Sequence, residues 1–217
     1  MSLSPGTPPQ QDQNWLACVD DRDQFRGKRI VTFCGLVGWY MEWVKLAHQW
    51  AMMLAERRIP YLRTVERRQD QDLLHAFATL VSTVDLHTVV VGCDISLLQQ
   101  KPTRVKIAKT DVFAKAMSRL LALPPEGSRL SVTVDDNDSM AMEFYSLIKA
   151  ARRKTGLMLK DDISSICFGN DTRYAPLQAA DLLAYCGRQK LEHGTDQTYD
   201  LITRSTRVQH VCETITV

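Results

Sequence analysis

Several absences narrow this chain before any motif is considered. No apolar run approaches the ~20 residues that a membrane-spanning helix needs, so a bilayer is not the expected setting. The six cysteines, at 18, 34, 93, 167, 186 and 212, include no C-x-x-C pair and no Cys/His pair at zinc-finger spacing. That pattern argues against zinc ribbons and dithiol redox sites. Four of the six fall in segments that read as strands, so buried free thiols and a cytoplasmic setting are the expectation. Net charge is scarce as well: 27 Lys and Arg against 25 Asp and Glu leave a formal +2. Binding to phosphates would therefore have to come from local clusters, not from the global field. Residues 1–14 have no basic-then-apolar signal pattern, and their Pro, Gln and Ser content predicts a disordered leader.

What is present suffices for a core. At 217 residues and 45% hydrophobic, the chain fits one medium globular domain, expected over 15–194, with 195–217 a C-terminal extension that is either a strand or a tail. Residues 15–20 and 29–38 read as two strands of a hairpin. Residues 41–58 switch to helical period, with Val44, Ala47, Ala51 and Leu54 on one stripe and Trp43, Leu46, Trp50 and Met53 beside it; Pro60 closes that helix. A helix over 68–82 precedes a β-branched strand at 88–93. The chain from 99 to 109 is basic, and Thr110 is placed to cap a helix that turns Phe113, Ala116 and Leu120 inward. Residues 129–135 alternate as a strand, 139–155 return to a helix, 163–168 read as another strand, and Pro176 opens a helix over 176–191. Strands alternating with helices predict a mixed α/β sheet flanked by helices, with a helical insert after strand two.

Three acidic positions stand at or within apolar elements. Asp20, followed by Asp21, closes the first predicted strand, and Asp135 closes the fourth; each reads either as turn chemistry or as a ligand. Asp181 differs, because it sits inside the apolar helix Leu177-Gln178-Ala179-Ala180-Asp181-Leu182-Leu183-Ala184. A carboxylate there needs a partner, either an arginine such as Arg188 or a metal. With strands one and four adjacent in the sheet, Asp20, Asp135 and Asp181 can converge and offer the hard oxygen ligands preferred by Mg²⁺ or Mn²⁺.

These residues resemble a known family. Val19-Asp20-Asp21, the strand Val132-Thr133-Val134-Asp135, and Asp171 followed by Pro176-Leu177-Gln178-Ala179-Ala180-Asp181-Leu182-Leu183-Ala184 are similar to the bacterial domain-of-unknown-function family 3800. The resemblance runs from about residue 15 to 192, and the Leu-Gln-x-Ala-Asp-Leu-x-Ala stretch is its most specific part. It implies a ribonuclease H-like fold and divalent-metal-dependent hydrolysis of nucleic-acid phosphodiesters. Asp20, Asp135 and Asp181 would be the metal ligands and, with Asp21 and Gln178, the catalytic set. Asp21 would be an alternative ligand, and Gln178 would orient a ligand or a phosphate. Arg22 and Asp23 stand where the family has Ser and Gly in its Asp-Glu-Ser-Gly motif. That departure keeps a second reading open, a ribonuclease H-like binding or interaction module without catalysis.

Other candidates are less specific. His75 and His87 read as structural or exposed, and Glu66 and Asp70 as a charge-rich helix start. Basic clusters at Arg57-Arg58, Arg63 with Arg67-Arg68, Lys101 to Lys109 and Arg152-Arg153-Lys154 read first as solvated faces. The acid-free Lys101–Lys106 stretch can also track a phosphate backbone, and Trp39, Tyr40 and Trp43 can stack on bases.

Overall fold

The computed structural model describes residues 14–23, 30–98, 101–135, 145–149 and 163–216, with Asn14 and residues 20–23 described by backbone alone. Its strands are β1 (Asn14–Asp23), β2 (Ile30–Trp39), β3 (His87–Asp94), β4 (Arg129–Asp135), β5 (Ile163–Gly169) and β6 (His210–Thr214). They form one six-stranded sheet in the order β5-β4-β1-β2-β3-β6. β1, β2 and β3 make an antiparallel meander, whereas β4 runs parallel to β1, β5 to β4 and β6 to β3. The continuous apolar sequence of β2 follows from this position: every residue from Ile30 to Gly38 is buried, as expected of a strand covered on both faces.

Two helical layers provide that cover. One is α4 (Pro102–Leu121); the other combines α1 (Tyr40–Arg57), α2 (Thr64–Arg67), α3 (Gln71–Ser82), α5 (Ala175–His193) and α6 (Gln197–Ile202). Strand alternation separates the two cores cleanly. Ala17, Val19, Phe33, Val89, Val91, Val132 and Val134 pack under α4. Cys18, Cys34, Leu36 and Val90 pack with α1, α3 and α5 on the opposite face.

The structure corrects several boundaries. β1 continues to Asp23, so Asp20 and Asp21 lie within the strand, not at its end; the extension is held by β2, with Asp23 opposite Val31. In α1 the buried stripe is Trp43, Leu46 and Trp50, while Val44 is 41% exposed. Two indoles bury more apolar surface than the alternative stripe of Val and Ala, so the helix rolls toward them. The helix expected over 68–82 begins three residues later, as α3 at Gln71, because Asp70 caps it by accepting from the Leu73 amide at 3.1 Å; the short α2 lies just ahead of it. α4 begins at Pro102, eight positions before the expected cap. Proline is preorganised for a first turn, and the Lys and Arg that follow are good helix formers. Thr110 is mid-helix and its hydroxyl donates back to the Lys106 carbonyl at 3.0 Å. Of the predicted 139–155 helix, residues 145–149 are helical and the rest lie outside the described residues. Neither α6 nor the strand pairing of β6 with β3 was specified by the sequence pattern.

No helix among the described residues is long and apolar enough to cross a membrane. All six cysteines are free thiols, with Cys18, Cys34, Cys93 and Cys186 buried.

Candidate functional site

The site is built where β1 and β4 run side by side. Their parallel register pairs Cys18 with Thr133 and Val19 with Val134, so Asp20 and Asp135 are the next positions along adjacent strands. Asp135 pairs on its other side with Gly169 of β5, and Asp20 with Cys34 of β2, which in turn pairs with Val90 of β3. One row of the sheet thus runs from Gly169 through Asp135 and Asp20 to Val90.

Helix α5 crosses the sheet along this row. A Cβ on Gly169 would stand 3.2 Å from Leu177 Cδ1, and one on Gly187 only 2.8 Å from Val90 Cγ2. The small residues Ala180, Ala184 and Gly187 permit that approach, and Pro176 fits the first turn without losing a needed amide donor. Residues Pro176 to Ala184 are all buried, because α1, α2 and α3 cover the side of α5 turned away from the sheet. Asp181 lies one turn beyond Leu177, about 6 Å along the helix axis.

Buried this way, Gln178 and Asp181 need partners, and backbone of the helical insert supplies them. Gln178 Oε1 accepts from Trp50 Nε1 and from the Leu62 amide, both at 2.9 Å. Asp181 Oδ2 accepts from the Thr64 amide at 2.9 Å. The expected alternative partner of Asp181 is engaged elsewhere, since Arg188 pairs with Glu192 at 2.7 Å. The Leu62–Thr64 segment is therefore hung on the two polar residues of the Leu-Gln-x-Ala-Asp stretch. Between the two anchored amides stands Arg63, half-exposed, with its guanidinium 4.0 Å from Asp171 and 3.7 Å from Glu66.

Tyr174 caps the approach to α5. It is half-buried, and desolvation first, then the neighbouring Cys18, Tyr40 and Cys167, push its hydroxyl up to about 12. It stays a neutral hydrogen-bond donor throughout the ordinary pH range. Neither Tyr174 nor Arg63 stands out in the sequence as a site residue. The available signal for Tyr174 was its place just ahead of the Pro176 helix start; Arg63 had none beyond its charge.

Among the described residues, no three His, Cys, Asp or Glu side chains cluster closely enough to hold a metal ion. The described members of the expected set are Asp135, half-buried at the end of β4, and Asp181, 7% exposed. The backbone of Asp20 and Asp21 lies in the register given above. Trp43 does not serve as a stacking surface: it is buried and donates from Nε1 to the Leu16 carbonyl at 2.9 Å. Trp39 and Tyr40 are exposed. His87 is structural, accepting from the Gln209 amide at 3.0 Å through Nδ1. The Arg152-Arg153-Lys154 cluster lies outside the described residues.

The architecture is the mixed α/β sheet flanked by helices expected from the sequence, with the helical insert α1–α3 between β2 and β3. The chain is similar in structure to Bst-RNase HIII in complex with Mn²⁺, at a TM-score of 0.49 and 12% identity, covering 91% of this chain and 64% of that one. It is also similar to the ribonuclease H2 from Pyrococcus horikoshii OT3, at a TM-score of 0.40 and 17% identity, covering 85% of this chain and 80% of that one. The chain thus spans less than two thirds of the length of the first of these. No protein-family model and no curated protein matches the chain.

Proposed function

We propose that this chain is a divalent-metal-dependent nuclease of the kind implied by its resemblance to family 3800, using Asp20, Asp135 and Asp181 as ligands. The observation that carries this reading is the register of β1 and β4, which makes positions 20 and 135 neighbours on the row crossed by α5. The donor set fits Mg²⁺ or Mn²⁺ chemically, since carboxylate oxygens from three separate elements are what these hard cations select. What a bound pair of ions would supply is activation of water and stabilisation of the leaving oxygen of a phosphodiester.

The chain's own residues do the rest. Asp21 is set apart from Asp20 by strand alternation, since its register partner Phe33 belongs to the α4 face. Gln178, through its bonds to Trp50 and Leu62, fixes the insert against α5 and so keeps Asp181 in one orientation. Tyr174, protonated and half-exposed beside the row, is a neutral donor suited to a phosphate or sugar oxygen. The partner on this reading is nucleic acid, either DNA or RNA.

A second reading is favoured by one observation: Gln178 and Asp181 already accept from backbone amides, as they would in a module that only needs its insert fastened. Cleavage of labelled DNA and RNA with Mg²⁺ or Mn²⁺ separates the two. The nuclease reading expects wild type to cut and both Asp20→Asn and Asp181→Asn to lose at least a hundredfold in rate, the scale of removing a metal ligand's support. Equal activity in all three proteins, or none in wild type, leaves the binding module standing.

A further inference from the structure

The basic start of α4 has no structural employment. Lys101, Arg104 and Lys106 are exposed, and none has a carboxylate partner among the described residues. The other end of the same helix shows what employment looks like: Arg119 makes a two-pronged bond with Glu213, both contacts at 3.0 Å. The helix start also stands clear of the sheet. Residues 101–104, 106 and 107 are exposed, and Leu97 in the preceding turn is 95% exposed.

The electrostatics there are unfavourable for the fold taken alone. The first turn of α4 carries no acid, and the cations sit at the positive end of the helix dipole, where carboxylates are normally preferred. Charges gathered against the local field, without partners, are relieved by an anion.

The proposed function names the anion, a nucleic-acid phosphate, and position in the sheet brings it within reach. β3 leaves the sheet at Asp94, four residues past Val90, and Val90 belongs to the row of Asp20 and Asp135. Two strand spacings across and four residues along put that exit roughly 15 Å from position 20. It is at the same end of the sheet to which β1 and β4 run. A nucleic acid seated at the carboxylate row spans that gap in about five nucleotides of one strand.

We infer that Lys101, Arg104 and Lys106 form a second phosphate-binding surface, which holds the backbone of a nucleic-acid duplex several nucleotides away from the carboxylate row. The inference rests on the proposed nucleic-acid function, but it concerns binding and not cutting. The contacts are to phosphate, so they are indifferent to base sequence and sensitive to salt.

The test is fluorescence anisotropy with a labelled DNA duplex of about 20 base pairs and an RNA–DNA hybrid of the same sequence, in EDTA, from about 50 to 200 mM KCl. The proteins are wild type, the triple variant Lys101→Gln, Arg104→Gln, Lys106→Gln, the single variant Lys106→Gln, and Arg129→Gln. Arg129 is exposed at the start of β4, the opposite end of the sheet. The triple variant should bind at least tenfold more weakly and flatten the log–log salt slope by about 2 to 3, the single variant by about 1, with Arg129→Gln unchanged. Unchanged binding by the triple variant, an equal loss with Arg129→Gln, or no binding by wild type overturns the inference. The nuclease reading fails separately: a protein that binds through this surface and never cuts keeps the second site and loses the first.

Discussion

The two faces of the sheet are built on different terms. Under α4 the core is apolar throughout, with Val, Ala, Phe, Met and Leu meeting side chains such as Val19, Phe33 and Val132. Under α5 the same strands present Thr32, Thr88 and Thr133, and the covering helices add Thr64, Gln178, Asp181, Arg188 and Thr198 to the buried set. Every buried polar residue among the described ones lies on the α5 side. Stability alone would favour the α4 pattern, since a buried polar group gains little even when paired and costs much when it is not. On the proposed function, the α5 face is the one where chemistry, rather than packing, has constrained the residues.

The comparison can be broken most forcefully by emptying the apolar face. Phe113→Ala removes a ring that packs edge-on against Phe33, their centroids 5.0 Å apart, and should cost about 3–5 kcal/mol in denaturant unfolding. Nucleic-acid binding by the fraction that remains folded should not change. A comparable loss is expected on the other face from Gln178→Leu, for a different reason. That substitution leaves the Trp50 indole and the Leu62 amide buried without an acceptor, at roughly 2–4 kcal/mol for the two. If Gln178→Leu is neutral, the α5 face is only another core.

Asp181→Asn sharpens the contrast, because the amide oxygen can still accept from Thr64. We expect less than about 1 kcal/mol of lost stability, together with loss of Mn²⁺ binding by calorimetry. Loss of both in proportion would make Asp181 a fastener of the insert and nothing more.

The smallest effect is a pH dependence at the margin of the α4 face, where the His87 ring lies 5.8 Å from that of Trp15. Burial first, and then the charge of His210, lower the pKa of His87 below its ordinary 6.5, against the opposing pull of Asp85. The folded state thus prefers neutral His87, whose Nδ1 accepts from Gln209. Its contribution is complete above the unfolded value of 6.5 and is lost as pH falls through the lower folded value. Melting curves from pH 8 to 5 should show a fall in Tm below about pH 6.5 that is reduced in His87→Gln.

Much of this was legible in the sequence, and the reasons are specific. β2, β3 and β4 announce themselves through continuous or alternating apolar runs, and α5 through Pro176 and the face of Leu177, Ala180, Ala184 and Gly187. Asp181 was conspicuous because a carboxylate inside such a helix demands a partner. The partner itself was not legible: main-chain amides of Leu62 and Thr64 have no side-chain signature, and they lie 117 positions or so from the helix they bond. The roll of α1 was hidden because two adjacent stripes were both apolar, and only packing weighs two tryptophans against Val44 and Ala51. The start of α4 was hidden because a run of lysine and arginine reads equally as loop and as exposed helix.

The central claim is that Asp20, Asp135 and Asp181 share a divalent cation on the α5 face. A crystal structure of the protein soaked with Mn²⁺ tests it most directly. The account predicts electron density for Mn²⁺ with carboxylate oxygens of all three residues within about 2.0–2.3 Å of bound metal. Carboxylates separated by more than about 10 Å, or Mn²⁺ bound only elsewhere, would contradict it.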